Sequence, residues 1–176
     1  MSIPDDRLPV NPVELTEVLD ALRKLDAPHL TLASPPQPLT GGFWAEMWTL
    51  TLDNRGPRLP EQVVLRLSPD PQLAAWETAV QRIAADMQYP TPAIIAFSHP
   101  TDTTRFWSVM QHASGQPLLA GLSGIRALTK LPQLARQLPD QLASVMAQLH
   151  ALDPTAIEQE VREIRGGRDS IDGLLE

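Results

Sequence analysis

The run from Pro38 to Leu52, PLTGGFWAEMWTLTL, constrains the fold more than any other stretch of the chain. An apolar run ends at Leu39 and breaks at Gly41-Gly42; beyond it Met47, Thr49 and Thr51 alternate with Trp48, Leu50 and Leu52. A period of two means a strand with two different faces, and turn glycines between two β-prone runs predict an antiparallel hairpin. Glycine also lets a backbone lie close to a ligand, because no Cβ stands in the way. Taken alone, the pair reads as a plain turn more readily than as a phosphate cover.

The residues after the hairpin narrow the choice. Gln62 to Leu67, QVVLRL, predicts a third strand that is apolar from Val64 except for Arg66. Ser68-Pro69-Asp70-Pro71 then starts a helix, with Asp70 as cap and Pro71 in the first turn, running to about Met87. Leu73, Trp76, Val80, Ile83, Ala84 and Met87 form its apolar arc, and Glu77 falls at the margin of that arc. A carboxylate turned inward needs a partner, since burying a lone charge is costly, and Arg66 in the preceding strand is the candidate. A rim glutamate reaching solvent fits the spacing equally well.

Upstream, Asn11-Pro12-Val13-Glu14 predicts a capped helix start, with Glu14 reaching back to the cap. Leu15, Val18, Leu19, Leu22 and Leu25 share one face of this helix, which stops at Ala27-Pro28. His29 to Ala33 is a short β-prone run. Downstream, Ala93 to Phe97 and Phe106 to Gln111 predict the fourth and fifth strands of a mostly antiparallel sheet with one face covered. Strands give way to helices between Gln111 and Pro117. Leu134, Leu138, Leu142, Val145 and Leu149 recur at helical spacing within a helix from Pro132 to Leu152, which Pro139 is positioned to kink or divide. Asp153-Pro154 starts another helix, with Ile157, Val161 and Ile164 on one face.

Composition removes several function classes. The 176 residues include no cysteine, which excludes disulfides, thiol catalysis and cysteine-based metal sites and suits the cytoplasm. Net charge is −7, without a Lys/Arg cluster, so nucleic acid is not an expected partner. No apolar run reaches the ~20 residues a membrane span needs. The four histidines give no metal-ligand spacing and no Ser/His/Asp arrangement, so they read as surface or packing residues.

The order of these parts resembles the aminoglycoside phosphotransferase and choline kinase-like family, which shares the protein-kinase fold. LTGGFWAEMWTL resembles the family's phosphate-covering hairpin, and VVLR the strand that presents a basic residue to the ATP phosphates. WETAVQRIAADMQYPTPAIIAF is similar to helix C and the strand after it, FWSVMQHASGQPL to the hinge, and LASVMAQLHALDP to the helix before the catalytic loop. The resemblance covers roughly Ala27 to Pro154. It implies an α+β fold: a five-stranded, mostly antiparallel small lobe with helix C over residues 27–115, preceded by an N-terminal helix in 1–26 and followed by the first helices of a helical large lobe in 116–176. It implies ATP as cofactor, with Gly41 and Gly42 over the phosphates, Arg66 contacting them and Glu77 holding Arg66. Met110 would border the adenine pocket, and the Gln111 C=O and Ala113 N–H would hold the adenine edge.

The family's H-G-D-x-x-x-x-N loop and its later Mg²⁺-binding Asp have no counterpart in this sequence. None of His29, His99, His112 or His150 begins the motif, and Asp153 reads as a helix cap. No catalytic residue and no metal ligand is therefore assigned. The resemblance implies the N-terminal part of an ATP-dependent small-molecule phosphotransferase, inactive alone, whose partners are a nucleotide and either a missing C-terminal half or a second copy. The alternative is a non-catalytic nucleotide-binding or interaction module on the same scaffold.

Overall fold

The computed structural model describes residues 10–39, 44–99, 105–114 and 125–164. Helix α1 (Pro12–Asp26) leads into strands β1 (Thr31–Leu32), β2 (Gln37–Leu39), β3 (Glu46–Asp53) and β4 (Gln62–Ser68). Helix α2 (Pro71–Asp86), strands β5 (Ile94–Phe97) and β6 (Phe106–Gln111), and helices α3 (Ile125–His150) and α4 (Thr155–Ile164) complete the order. Among the described residues the sheet has six strands in the order β1-β3-β4-β6-β5, with β2 also pairing with β3, and every pairing is antiparallel. The sixth strand is β1, which the β-prone run at His29–Ala33 contributes to the edge of β3.

Register divides the sheet into two faces. Trp48, Leu50, Val63, Leu65, Leu67, Trp107 and Val109 share one face and form the main core with Val18 and Leu22 of α1. Both α1 residues are fully buried, so α1 is part of the lobe's core. The other face carries Val64, Arg66 and Ser68 of β4 opposite Met110, Ser108 and Phe106 of β6. Helix α2 packs on that face, with Ala74 and Ala75 against Phe106. Helices thus cover both faces, not one.

The caps form as the sequence dictates, with one exception. The Asn11 side chain accepts the Val13 N–H at 3.0 Å. Asp70 accepts the N–H groups of Gln72 and Leu73 at 3.1 and 3.0 Å, which satisfies two orphan donors of α2. At the other end of α2, Gln88 takes φ 63°; Tyr89 N–H donates to Ala84 O and Gln88 N–H to Ala85 O, closing a Schellman motif. Glu14 is the exception. Its Oε2 lies 3.8 Å from Arg105 Nη1, while Arg105 Nη2 reaches Glu46 Oε1 at 3.0 Å. A long-range cation thus draws the carboxylate toward the sheet.

Two further expectations change. The buried residues of α2 are Ala74, Ala75, Thr78, Ala79 and Ala84, not the bulky arc of Leu73, Trp76, Val80 and Ile83. Close approach to the sheet, where Ala74 and Ala75 meet Phe106, selects small side chains. Helix α3 runs unbroken through Pro132 and Pro139. Each proline removes one backbone donor from the ladder, and the remaining bonds keep the segment helical. Every residue from 139 to 151 is exposed. Among the described residues, no helix is long and apolar enough to cross a membrane.

Candidate functional site

Strand β4 and helix α2 build the site together. Arg66 points to the α2 side of the sheet because its strand neighbours Leu65 and Leu67 fill the core on the other side. Helix α2 starts three residues after β4 ends, so its second turn passes over that face. There Glu77 receives a hydrogen bond and ion pair from the Arg66 guanidinium. The two side chains are 22% and 40% exposed, so the pair is neither free in solvent nor sealed from a ligand. Of the two readings open for Glu77, the paired carboxylate is the one the structure adopts.

The pair opens on a pocket of about 440 Å³, lined by Trp44, Arg66, Ser68, Asp70, Leu73 and Glu77 among others. Trp44 is 87% exposed and enters from the hairpin end of β3; Leu73 is 45% exposed and enters from the first turn of α2. Sequence reasoning assigns neither of them to the site. The available signal for Trp44 was a bulky aromatic directly beside a turn, ahead of the alternating part of the strand. For Leu73 the signal misled, since the apolar arc assigned it to the core.

Met110 lies on the same sheet face as Arg66, one strand over and opposite Val64. It is buried, with Gln81 Nε2 3.7 Å from its sulfur; the same nitrogen donates to Pro92 O at 2.7 Å. Met110 therefore serves packing in this state. Gln111 ends β6, its N–H donating to Ala93 O at 2.9 Å, and residues 111–114 are exposed. The structure thus brings Arg66 and Glu77 into contact and places Met110 on their face, with Gln111 and Ala113 at its edge. Gly41 and Gly42 lie outside the described residues.

Asp153 is occupied elsewhere. Its Oδ1 accepts the Thr155 N–H at 3.0 Å and the Thr155 hydroxyl at 2.7 Å, at the start of α4. The hydroxyl bond, and then the N–H bond, hold its carboxyl below the ordinary aspartate value, against a small opposing effect of burial. Among the described residues no group of three or more His, Cys, Asp or Glu side chains is placed to hold a metal ion.

The chain resembles known proteins in both sequence and structure. No curated protein matches it at a significant level. A crystal structure of a candidate aminoglycoside phosphotransferase from Ralstonia eutropha JMP134 superposes with a TM-score of 0.52 at 21% identity, over 81% of this chain and 40% of that one. At that identity the likeness speaks for the fold: an antiparallel sheet with helices of the kinase-like kind. The chain spans only that 40% of the structure it matches. The sequence model of the Phosphotransferase enzyme family matches residues 35–172, which is most of the chain and includes Arg66, Glu77 and the whole pocket lining. The chain belongs to the Phosphotransferase enzyme family.

Proposed function

We propose that this chain is the nucleotide-holding part of an ATP-dependent phosphotransferase that acts on a small-molecule hydroxyl. The observation that carries this is the Arg66–Glu77 pair facing a pocket at the hairpin end of β3. Phosphoryl transfer is chiefly positioning and charge neutralisation. A guanidinium offers donors in a planar fork, so Arg66 can keep one edge on Glu77 and present another to phosphate oxygens. Glu77 orients Arg66. The Gln111 C=O and Ala113 N–H are suited to read the adenine edge, with Met110 beside the ring. Backbone N–H groups at Gly41-Gly42 would cover the phosphates without steric hindrance.

A bound Mg²⁺ would add further charge neutralisation, and no described residue is assigned to hold it. The sequence has no H-G-D-x-x-x-x-N loop, so this chain contributes nucleotide binding rather than the base. By itself it is expected to transfer phosphate to a hydroxyl many powers of ten below a complete enzyme. A cytoplasmic location suits an ATP-using protein without cysteine.

The test is calorimetric titration of ATP with Mg²⁺ into the wild-type chain and Arg66→Met. Binding should weaken ~10–100-fold in the variant, as expected for losing a charge-assisted hydrogen bond. Absence of ATP binding, or equal affinity in the two proteins, would overturn the reading.

A further inference from the structure

The pocket at Arg66 extends away from the hinge. Along β4, Val63 lies opposite Gln111, Arg66 opposite Ser108 and Ser68 opposite Phe106. At a strand rise of ~3.3 Å per residue, Ser68 stands on the order of 16 Å from the hinge end. The pocket takes in Arg66, Ser68 and Asp70, but neither Met110 nor the hinge. A nucleotide with its base at the hinge and its phosphates at Arg66 therefore directs its terminal phosphate, and the group that accepts it, toward the Trp44–Leu73 side.

That side is not shaped for phosphate alone. Asp70 already accepts two helix N–H groups, and Glu77 already accepts from Arg66. Two large apolar side chains, Trp44 and Leu73, remain on the pocket wall with most or nearly half of their surface exposed. An inorganic anion would leave both wet. A ligand with a flat apolar face would bury them and gain from the apolar area removed from water. An indole adds face-specific stacking.

We infer that the small lobe carries its own acceptor subsite: the hydroxyl compound lies with an aromatic or flat apolar face against Trp44 and Leu73, next to the terminal phosphate. The inference rests on the nucleotide reading above and goes further by naming the acceptor's chemical class and the side chains that meet it.

The closing experiment uses two probes, the γ-methyl and γ-phenyl esters of ATP, each with Mg²⁺. Their affinities are measured by calorimetry on the wild-type chain, Trp44→Ala and Trp44→Phe, with ATP itself as reference. The wild type should prefer the phenyl ester over the methyl ester by roughly fivefold, the ratio an aromatic contact supports. Trp44→Ala should bring that ratio to about one, and Trp44→Phe should keep about half of the preference or more. Trp44 is the exposed one of four tryptophans, Trp48 and Trp107 being buried and Trp76 partly so. The phenyl ester should therefore also shield its fluorescence from iodide quenching. If ATP binds but the phenyl ester gains nothing over the methyl ester, or the gain survives Trp44→Ala, the subsite is overturned and the nucleotide reading stands. If neither ATP nor either ester binds, the nucleotide reading fails and takes the subsite with it.

Discussion

Leu65 and Leu142 are the same side chain in two different settings. Leu65 sits in the middle of β4 with no exposed surface, between Trp48 and Val109 on a face that α1 covers. Leu142 sits in α3 and is 54% exposed, as are Val145, Met146 and Leu149 to lesser degrees. The apolar periodicity of α3 is as regular as that of α1. Periodicity tells which face of a helix is apolar and says nothing about what covers it. In the sheet lobe the cover comes from the chain's own first helix. Along residues 139–150 of α3 the described part of the chain supplies none.

The largest expected effect tests this contrast directly. Leu65→Ala should cost ~2–5 kcal/mol of unfolding free energy, through lost transfer energy and a cavity that the sheet cannot close. Leu142→Ala should cost no more than ~0.5 kcal/mol, as exposed substitutions do. Urea unfolding monitored by circular dichroism measures both. Equal costs would mean that α3 is covered in solution and that the contrast is false.

Next in size is the cap of α1. Asn11→Ala should cost about 1 kcal/mol, because it orphans the Val13 N–H at the start of a helix that carries Val18 and Leu22 into the core. The loss should appear in the cooperative unfolding of the whole lobe. A loss confined to local fraying would detach α1 from the lobe and weaken the account of its core.

Local chemistry made much of this fold legible. The Gly-Gly break, the strand alternation and the Asp70-Pro71 helix start are written in adjacent residues, and β2, β3 and α2 lie where those signals put them. Arg66 and Glu77 were also within reach of sequence reasoning, because one strand runs directly into one helix and the connection is too short for much freedom. Two features were not legible. The buried stripe of α2 is its alanines, since tight packing selects size as well as hydrophobicity. The partner of Glu14 is Arg105, which comes from the far end of the lobe. The pocket wall is a consequence of the first of these. Turning the alanines inward leaves Leu73 outward, where a ligand can meet it.

The Arg66–Glu77 contact should register as a smaller energy than its functional weight suggests. With both side chains partly exposed, solvent screens the attraction, and ~0.5–1 kcal/mol of coupling is expected in place of the several kcal/mol of a sealed pair. A double-mutant cycle on stability with Arg66→Met and Glu77→Gln measures it. Strict additivity would mean that the pair does not persist in solution, and Arg66 would lose its orienting partner.

The smallest effect lies at the junction of the two exposed-side helices, and its sign decides between two roles for Asp153. The residue comes directly after His150-Ala151-Leu152, a phrase close enough to a catalytic-loop motif to raise the question of a proton-accepting carboxylate. Its bonds to Thr155 lower its pKa in the folded state below the unfolded value of about 3.9. A depressed folded pKa means that the stabilising contribution is present above the unfolded pKa and is lost as pH falls through the folded one. A carboxylate poised as a base near neutral pH would show the opposite, a raised pKa. Carbon-13 NMR titration of the Asp153 carboxyl should give a midpoint below the ordinary aspartate range. In Asp153→Asn the acid-dependent fraying of α4 should disappear, with the urea midpoint of the sheet lobe unchanged. A raised midpoint would overturn the cap. A lobe-wide loss of stability in Asp153→Asn would instead show that α4, through its packing on α2, unfolds with the sheet and belongs to the lobe's side of the comparison.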